Sequence, residues 1–442
     1  MNADRPRVLL LNPPHRRAVV RDCYCSEIMK AGYYWHQLDL LVQAALLAEY
    51  AEVKLIDAVA ANISPETVLA RAREFRPDWV LCLVAEIVEA DDFAFAGKLR
   101  AALPDSRLFA SGDVFLETPE QTLAGWPAFE GVLTEFISPA FAEMVRGDEP
   151  SYDLALRDGD GVRLLPRSPA KTFSYPAVPD LFDPRHYRLP FHGGEKFASV
   201  LASYGCPFTC RFCHVPALGY KARDSQETLS EIADAYRQGY RNFYMRDATF
   251  AVKREPALTL CAGIAEQAPG IRWNVFTRAD LLDDELLDAL AASGCAVVQI
   301  GAESLDDDVR RKVDKAFDLD HLRRILAGCR DRGMLTSLHF VVGLPGDDWI
   351  LSDRAASDLR ALDPDYLSLN VLRLRPGTAL RREGYAIGEA DLTRWRAVAR
   401  RLNLRFYLRP GRIAAELVRL KDPRSVMRAA GLFASMFVGR RR

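Results

Sequence analysis

The sequence lacks any apolar run long enough to cross a membrane, since no stretch of its 442 residues reaches the ~18–20 apolar residues of a transmembrane helix. The chain also lacks an excess of charge of either sign, because 59 basic residues balance 60 acidic ones and leave a net charge of −1. With 49% hydrophobic residues, the composition excludes a disordered or collagenous chain and allows about two or three domains. The opening stretch MNADRPRVLLLNPP has no signal-peptide layout, so we expect a cytoplasmic protein.

Cysteine is too sparse for a disulfide scaffold, at nine residues in the chain, and the cytosol would keep these thiols reduced. Three of them nevertheless stand together in SYGCPFTCRFCHVP, where Cys206, Cys210 and Cys213 have the spacing C-x3-C-x2-C. Thiolates bind soft metals, and C-x2-C recurs in zinc and iron–sulfur sites. The loop therefore predicts a metal or redox site.

Two kinds of metal site are compatible with three clustered thiols. A structural zinc needs a fourth ligand, but His214 lies beside Cys213, where ligation by both is sterically awkward, and no second C-x2-C pair exists. A [4Fe–4S] cluster held by three cysteines leaves one iron open, and an open metal position indicates reactivity. The cluster is favoured, with a structural or zinc role as the alternative.

Residues 1–147 alternate strand and helix patterns, which predicts a doubly wound parallel sheet covered by helices on both faces. The predicted strands are RVLLLN, VKLID, DWVLCLV, RLFASG and GVLTE. A helix is predicted over SPETVLARAREF, with Ser64 as the N-cap and Pro65 in the first turn. Ligands of such sheets bind at the carboxyl ends of the strands.

Residues 148–195 interrupt this alternation. Seven prolines fall between Pro150 and Pro190, which predicts a linker. Within it, LALRDGDGVRLL predicts a small hairpin that turns at Asp158-Gly159 or Asp160-Gly161.

Residues 196–380 contain a second alternating series, which predicts a parallel, partial (β/α)6 barrel. Its predicted strands are FASVLAS, NFYMRD, RWNVFTR, AVVQIGAE, LTSLHFVVG and YLSLNVLR. The three cysteines follow the first of these strands, at the end of a barrel where active sites lie.

Residues 381–442 are predicted to form a helical C-terminal region with a basic tail. From Arg405 onward, ten basic residues face two acidic ones, and RSVMRAAGLFASMFVGRRR has apolar residues at helical spacing. Such a short helix suits either the surface of an anionic membrane or docking over the barrel. A nucleic-acid role is not expected, because no base-stacking aromatic residues alternate with the basic ones.

The cysteine loop, with an aromatic residue before its last cysteine, resembles the radical S-adenosylmethionine (radical SAM) superfamily. The segments YMRDATF, RADLLDDELLDALAASG, QIGAES, VVGLPGD and LRPGTAL follow in the order that this resemblance implies. Together with RFYLRP, they are similar to the branch that carries a cobalamin-binding-type domain before the barrel. That branch contains the oxidative cyclase of bacteriochlorophyll synthesis.

The resemblance implies that Cys206, Cys210 and Cys213 ligate three irons of a [4Fe–4S] cluster and that S-adenosylmethionine (SAM) chelates the fourth. One electron would cleave the sulfonium to methionine and a 5′-deoxyadenosyl radical, which abstracts a substrate hydrogen. The implied SAM contacts are Phe212, Asp247, Arg278, Glu303, Gly343 and Gly346. Barrel ion pairs are the alternative for Asp247 and Glu303, and simple turns for the two glycines.

Cobalamin is the less specific part of the resemblance. The chain lacks D-x-H-x-x-G, the motif whose histidine replaces the lower axial base of cobalamin, and neither His15 nor His36 fits it. The implied contacts are Asn12, Gly112 and Thr134, with no protein histidine below the cobalt. A degenerate domain that only covers the barrel is the alternative.

Cys23, Cys25 and Cys82 invite comparison with the second cluster of methylthiotransferases. The C-x-C spacing is wrong for that cluster, and no small RNA-binding β-domain follows the barrel. Cys82 is predicted to be a buried apolar residue, as are Cys261, Cys295 and Cys329. Tyr33, Tyr34 and Trp35 are candidates for lining a substrate or corrin pocket, or for packing. These three aromatic residues are adjacent in the sequence.

The resemblance implies a radical SAM enzyme that functionalises an unactivated carbon, with cobalamin-dependent C-methylation as the main expectation. A cobalamin-independent cyclase, oxidase or rearrangement enzyme is the alternative, and an iron–sulfur redox sensor is the non-enzymatic one. The expected partners are a small-molecule or lipid-like substrate and an electron donor such as flavodoxin or ferredoxin. Neither a nucleic-acid partner nor a membrane span is expected, although peripheral membrane contact through the tail stays open.

Overall fold

The computed structural model describes residues 5–29, 34–178, 180–189 and 195–411, and the chain divides into two compact units between residues 189 and 190. Over these residues, no helix combines the length and the apolar character that a membrane crossing demands. The strands of the first unit are β1 (Arg7–Asn12), β2 (Val19–Asp22), β3 (Cys25–Ile28), β4 (Glu52–Asp57), β5 (Trp79–Leu83), β6 (Arg107–Ser111), β7 (Gly131–Leu133), β8 (Leu154–Asp158) and β9 (Gly161–Leu164). Its helices are α1 (Leu38–Leu47), α2 (Pro65–Phe75), α3 (Glu89–Ala102), α4 (Pro119–Ala124) and α5 (Ala140–Arg146).

The main sheet of the first unit has the order β4-β1-β5-β6-β7-β8-β9. Its first five strands are parallel, as predicted, and β1 and β5 are almost entirely buried because helices cover such sheets on both faces. The chain moves from β1 to β4 on one side and then to β5 on the other side of β1. The strand order therefore reverses between β1 and β5, which is where doubly wound sheets open a ligand crevice.

The hairpin of β8 and β9 forms within the segment that was predicted to be a linker. Its two-residue turn contains Gly159, whose φ of +57° is in the left-handed region that glycine adopts readily. Strand β8 pairs antiparallel with β7, so the hairpin extends the first sheet. This pairing is a tertiary contact that a proline-rich composition does not reveal.

A second hairpin, of β2 and β3, follows β1, where no strand was predicted from the sequence. All four residues of β2 are buried, including Arg21 and Asp22. Two buried charged residues in a four-residue strand remove both the alternating and the continuous apolar pattern of a strand, so the sequence did not indicate it.

Helix α2 begins where the sequence predicted. Ser64 accepts a hydrogen bond from the backbone N–H of Thr67 at 3.3 Å, and Pro65 occupies the first helical position. The helix ends at Arg76, whose φ of +50° is left-handed and stops the helical repeat.

The second unit contains the strands β10 (Phe197–Val200), β11 (Ser203–Gly205), β12 (Tyr220–Ala222), β13 (Asn242–Met245), β14 (Arg272–Thr277), β15 (Cys295–Glu303), β16 (Leu335–Val342) and β17 (Tyr366–Val371). Its helices are α6 (Ser225–Arg237), α7 (Arg254–Gln267), α8 (Asp284–Ala292), α9 (Asp307–Lys312), α10 (Leu319–Asp331), α11 (Ala355–Leu362), α12 (Ala379–Arg382) and α13 (Glu389–Tyr407). Aspartates at the N-caps of α6, α8, α9 and α10 accept backbone N–H bonds and fix where these helices begin.

Six strands of the second unit form one parallel sheet in chain order, β10-β13-β14-β15-β16-β17. These are the six strands that the sequence predicted, and the partial barrel is confirmed. Alternate side chains of these strands pack against the helices in one apolar core. The short antiparallel pair β11–β12 follows β10 and carries the cysteine loop.

Helix α13 confirms a helical C-terminal region up to residue 411. The Tyr407 hydroxyl bonds with the backbone N–H and carbonyl of Leu367, both at 2.8 Å, which anchors the helix to β17. The predicted basic membrane-binding or docking helix lies from residue 412 onward, outside the described residues.

Candidate functional site

The cysteine loop spans the tip of the hairpin between β11 and β12, directly after the first strand of the barrel sheet. The backbone N–H of Cys206 bonds to the carbonyl of Gly219 at 2.8 Å, which closes the base of the loop. Within the loop, the N–H of Cys213 bonds to the carbonyl of Cys210 at 3.0 Å and brings these two residues onto one turn. The structure thus holds the three predicted cysteines together at the carboxyl edge of the sheet.

The loop is fixed from outside by Arg211. Its backbone N–H bonds to Val313 and its carbonyl accepts from Leu380, both at 3.1 Å. Its guanidinium donates to the carbonyl of Lys312 and pairs with Glu383. The end of α9 and the start of α12 therefore set the position of the cysteine loop.

Burial and the two nearby cations act in opposite directions on the pKa of Cys210, and the net effect is a raised pKa. Arg278 places a guanidinium nitrogen 3.6 Å from the Cys210 sulfur, and the same side chain is held by two bonds to Asp280. Burial raises the pKa of Cys210, whereas the charges of Lys315 and Arg278 act to lower it. Burial raises the pKa of Cys213 to about 12, so this thiol needs a metal to ionise at neutral pH.

Glu303 ends β15 and forms a buried ion pair with Lys315 at 3.2 Å. The backbone of Glu303 has a φ of +62°, an uncommon conformation for a residue with a side chain. Gly301 makes room for the pair, because a Cβ atom there would lie 2.4 Å from a carboxylate oxygen of Glu303. Sequence reasoning missed Lys315, since RRKVDK has the composition of an exposed helix end.

Of the remaining predicted SAM contacts, Asp247 and Gly343 already have a role in the packing or hydrogen bonding of the protein itself. Asp247 spends one carboxylate oxygen on the N–H of Ala202 and the other on the Ser203 hydroxyl, so it braces the turn before the cysteine loop. At Gly343, φ is +100° and a Cβ would meet the ring of Trp395 at 2.4 Å, so close packing requires glycine there. Phe212 is half-buried against the barrel core, and a Cβ added at Gly346 would meet, among the described residues, the end of the Lys312 side chain.

No group of three or more His, Cys, Asp or Glu side chains in the described ranges converges as a single metal ion requires. A zinc ion draws all its ligands to within about 2.3 Å of one point. A cubane cluster places its three thiolates on three different irons and makes no such demand.

In the first unit, a buried polar network lies at the carboxyl ends of β1 and β4. Arg21 donates two bonds to Asp92, and a third to the side-chain oxygen of Asn12 at 2.8 Å. Asn12 in turn donates to Asp57 and to the Tyr34 hydroxyl. The structure therefore commits Asn12, one of the three predicted cobalamin contacts, to internal hydrogen bonds.

The other two predicted contacts lie at the ends of β6 and β7. A Cβ at Gly112 would lie 1.8 Å from the carbonyl oxygen of Val84, so the packing of β5 against β6 requires glycine there. The Thr134 hydroxyl and the side-chain oxygen of Gln43 are buried, and neither has a hydrogen-bond partner in the described parts of the chain. Unpartnered buried polar atoms suit a ligand rich in amides, so this side of the sheet edge fits cobalamin.

No described histidine near the strand ends is free to ligate cobalt. Both ring nitrogens of His15 are engaged, one by Asp91 at 3.0 Å and the other by the backbone of Arg17. The ring of His36 is buried against Phe182 and Tyr187. That no protein histidine ligates the cobalt from below stays a prediction.

Five of the cysteines outside the loop are described as buried side chains. Cys82, Cys261, Cys295 and Cys329 are each at most 5% exposed, which confirms the prediction of apolar packing roles. Cys23 is equally buried, and burial raises its pKa well above the usual range of a thiol. Of the three adjacent aromatic residues that were candidates for lining a pocket, Tyr34 belongs to the polar network and Tyr33 lies outside the described residues.

We expect Asp39→Asn to stabilise the protein at about pH 8 more than at about pH 5. Burial and the charge of Asp22 raise the pKa of Asp39 to about 7, although Ser111 and the N–H of Cys23 donate to it. The folded chain then binds more protons than the unfolded chain, whose Asp has a pKa of about 3.9, so stability falls as pH rises between these values. The gain above pH 7 should be about 2–4 kcal/mol.

Urea unfolding of both proteins at the two pH values measures this difference. An equal gain at both pH values would contradict the assignment of the effect to the charge of Asp39.

Comparison with known proteins supports the fold described for both units. A family model described as the radical SAM superfamily matches residues 200–355. The relative named uncharacterized methyltransferase PH0819, from Pyrococcus horikoshii, is 22% identical over 85% of this chain and 82% of its own. The identity is low but extends over both units.

Two solved structures share the fold of most of the chain. The methyltransferase TsrM from Kitasatospora setae, with cobalamin and a [4Fe-4S] cluster bound, gives a TM-score of 0.66 at 20% identity, over 86% of this chain and 74% of that one. The enzyme OxsB, with aqua-cobalamin and S-adenosylmethionine bound, gives 0.65 at 14% identity, over 98% of this chain and 72% of that one. The two-domain fold predicted from the sequence is confirmed.

Proposed function

We propose that this chain, whose residues 200–355 form a radical SAM domain, is a cobalamin-dependent radical SAM enzyme that methylates an unactivated carbon of a small molecule. The observation that carries the proposal is the cysteine loop. Three thiols lie on one loop at the carboxyl edge of the barrel sheet, beside Arg278 and the buried pair of Glu303 and Lys315. The relative from Pyrococcus horikoshii, named a methyltransferase, supports the methylation part, and the two solved structures with cobalamin bound support the cobalamin part.

In this mechanism, Cys206, Cys210 and Cys213 would hold the cluster as thiolates, and cobalamin would contact the chain near Gly112 and Thr134. When bound, the cluster supplies a low-potential electron and an open iron for SAM, and cobalamin carries the methyl group. Arg278 and Lys315 offset the negative charge that the thiolates bring into a buried site.

Other residues of the barrel position the cofactors. Asp247 braces the turn at Ser203, three residues before the first cysteine, and Arg211 fixes the loop to α9 and α12. We retain Phe212, Glu303 and Gly346 as proposed SAM contacts. Gly343 and Asp247 contribute through packing and bracing, whatever contact they also make with SAM.

The proposed cluster needs reduced thiols and an external electron, which fits a cytosolic setting with flavodoxin or ferredoxin as the donor. Peripheral membrane contact by the basic tail is a separate proposal that rests on the sequence from Arg405 to Arg442 alone.

Anaerobic reconstitution with iron, sulfide and cobalamin tests the function. We expect about four irons and four sulfides per chain at this site, and the reduced protein should convert SAM to 5′-deoxyadenosine. With a methyl acceptor present, S-adenosylhomocysteine should also form, because a second SAM would be the source of the transferred methyl group. Formation of 5′-deoxyadenosine that is indifferent to cobalamin would favour a cyclase or oxidase, and absence of SAM cleavage would favour a redox sensor.

We expect bound cobalamin to lack a protein nitrogen ligand. Because the ring nitrogens of His15 are engaged by Asp91 and Arg17, neither is available to cobalt. The visible spectrum of protein expressed with cobalamin measures binding, and EPR of the cob(II)alamin form reports the lower ligand. Nitrogen hyperfine splitting that disappears in His15→Ala would contradict this prediction.

A further inference from the structure

The inner face of the barrel sheet is polar in its later strands. Side chains alternate along each strand, and on β14 to β17 one set packs against the helices in the apolar core. The other set faces the inside of the partial barrel. It includes Phe276, Gln299, Ser337, His339, Ser368 and Asn370.

Strand register brings these side chains into adjacent rows. Phe276 is paired with Gln299, and Gln299 with Ser337, so the three form one row across β14, β15 and β16. His339 is paired with Ser368 in the next row toward the carboxyl edge. We call the six inward-facing residues named above the inner wall.

The inner wall has unused hydrogen-bonding capacity. The side-chain nitrogen of Gln299 is fully buried and has no partner among the described residues. His339 is half-buried, and one ring nitrogen lies 3.3 Å from the Ser337 hydroxyl. A buried donor left unsatisfied destabilises the protein, and a bound ligand that accepts from it removes this cost.

The inner wall is also uncharged. Burial and the charge of Lys315 lower the pKa of His339 to about 4, so its ring is neutral in the physiological range. The cations above it are paired, Lys315 with Glu303 and Arg278 with Asp280. A carboxylate or phosphate would find no unpaired cation among these residues, and an acyl chain would leave the polar groups unsatisfied.

An aromatic ring, that of Phe276, forms part of the inner wall and favours a flat ligand group. The half-buried ring of Phe276 meets the His339 ring edge-on, with centroids 5.0 Å apart and planes at 76°. A flat group lying against Phe276 would meet Gln299 in the same row and His339 in the next.

We infer that the inner wall, centred on Gln299 and His339, binds an uncharged, hydrogen-bonding group of the substrate that lies flat against Phe276. The class is a planar amide or nitrogen heterocycle, in place of a lipid chain or an organic acid. That the group belongs to the methyl acceptor rests on the proposed function, whereas its binding does not.

Binding of two probes of matched shape tests this inference. Benzamide carries the planar amide, and ethylbenzene replaces it by an apolar group. Dissociation constants of both are measured by ligand-observed NMR on the full chain, without cluster or SAM. We expect benzamide to bind about tenfold more tightly, since satisfying one or two buried hydrogen bonds is worth about 1.4 kcal/mol.

Variants locate the binding. Gln299→Leu should remove the preference for benzamide, and His339→Leu should reduce it. His339→Gln, which keeps a hydrogen-bonding side chain, should retain most of it. Gln267→Leu makes the same change as Gln299→Leu at an exposed position at the end of α7 and should leave both constants unchanged. Thermal unfolding of each variant identifies any that fail to fold.

Equal binding of the two probes, binding of neither, or a preference that survives Gln299→Leu would overturn the inference. Because the assay needs no SAM cleavage, its outcome is independent of the proposed function. If the chain prefers benzamide but does not cleave SAM, the binding inference stands and the proposed function is wrong. If it cleaves SAM but shows no preference for benzamide, the proposed function stands and the binding inference is wrong.

Discussion

Cys210→Ala is expected to abolish both the iron–sulfur cluster and SAM cleavage. Cys210 is the central thiol of the loop and the one that Arg278 approaches at 3.6 Å. Changes to outer-shell partners of a metal already cost about 10–100-fold in affinity or activity, so loss of a ligand should exceed that range. Iron and sulfide analysis, the EPR spectrum of the reduced protein and 5′-deoxyadenosine formation are the measurements.

Cys329→Ala is the matched control, because Cys329 is fully buried in the same unit and packs in its apolar core. This variant should lose some stability, from the small cavity left behind, and keep its cluster. If Cys210→Ala still cleaved SAM, the assignment of the three cysteines would be wrong. If both variants lost iron equally, the effect would be one of folding.

Gly205→Ala is expected to displace the cysteine loop without touching a ligand. Gly205 has a φ of +71°, and a Cβ there would lie 1.8 Å from the carbonyl oxygen of Gly219. That carbonyl accepts the backbone bond of Cys206, so relief of the clash must move the first cysteine. Displacements near 1 Å can cost about 100-fold at a reacting centre, and we expect iron content and SAM cleavage to fall together.

Gly333→Ala separates this clash from backbone strain. Gly333 has the same φ of +71°, and a Cβ there meets nothing within 4 Å. Its alanine variant should pay only about 1–2 kcal/mol for the left-handed conformation and retain the cluster. Iron per chain and 5′-deoxyadenosine formation, measured on both variants, give the comparison. Equal losses in the two variants would attribute the effect to strain alone.

The sequence predicted the parts of the fold that follow from local pattern. The six barrel strands, the five parallel strands of the first unit and the N-cap at Ser64 all depend on apolar periodicity or capping chemistry. The cysteine loop was equally readable, because its spacing lies within eight residues and its place after β10 follows from the order of the strands.

The rest depends on contacts that sequence spacing does not carry. The buried strand β2 contains Arg21, whose charge is paired with Asp92 from a helix 71 positions further along the chain. Lys315 has the local composition of an exposed residue and is buried because Glu303 lies at the end of β15. Asn12 was predicted to contact a cofactor. In the folded chain its side chain donates to Asp57 and accepts from Arg21, two residues that are distant from it in the sequence or lie in the unpredicted strand β2.

The hairpin of β8 and β9 has a consequence for how the chain is made. Ribosomes add about 5–20 residues per second, so residue 164 follows residue 133 by roughly two to six seconds. During that interval the outer edge of β7 has no neighbour and offers unpaired backbone groups to other nascent chains. Once β8 pairs with it, the sheet ends at β9, a short strand whose exposed Arg163 discourages further pairing. The main sheet of the first unit is therefore complete near residue 164, and a gene fusion or split at residue 147 would separate the sheet from its protecting edge.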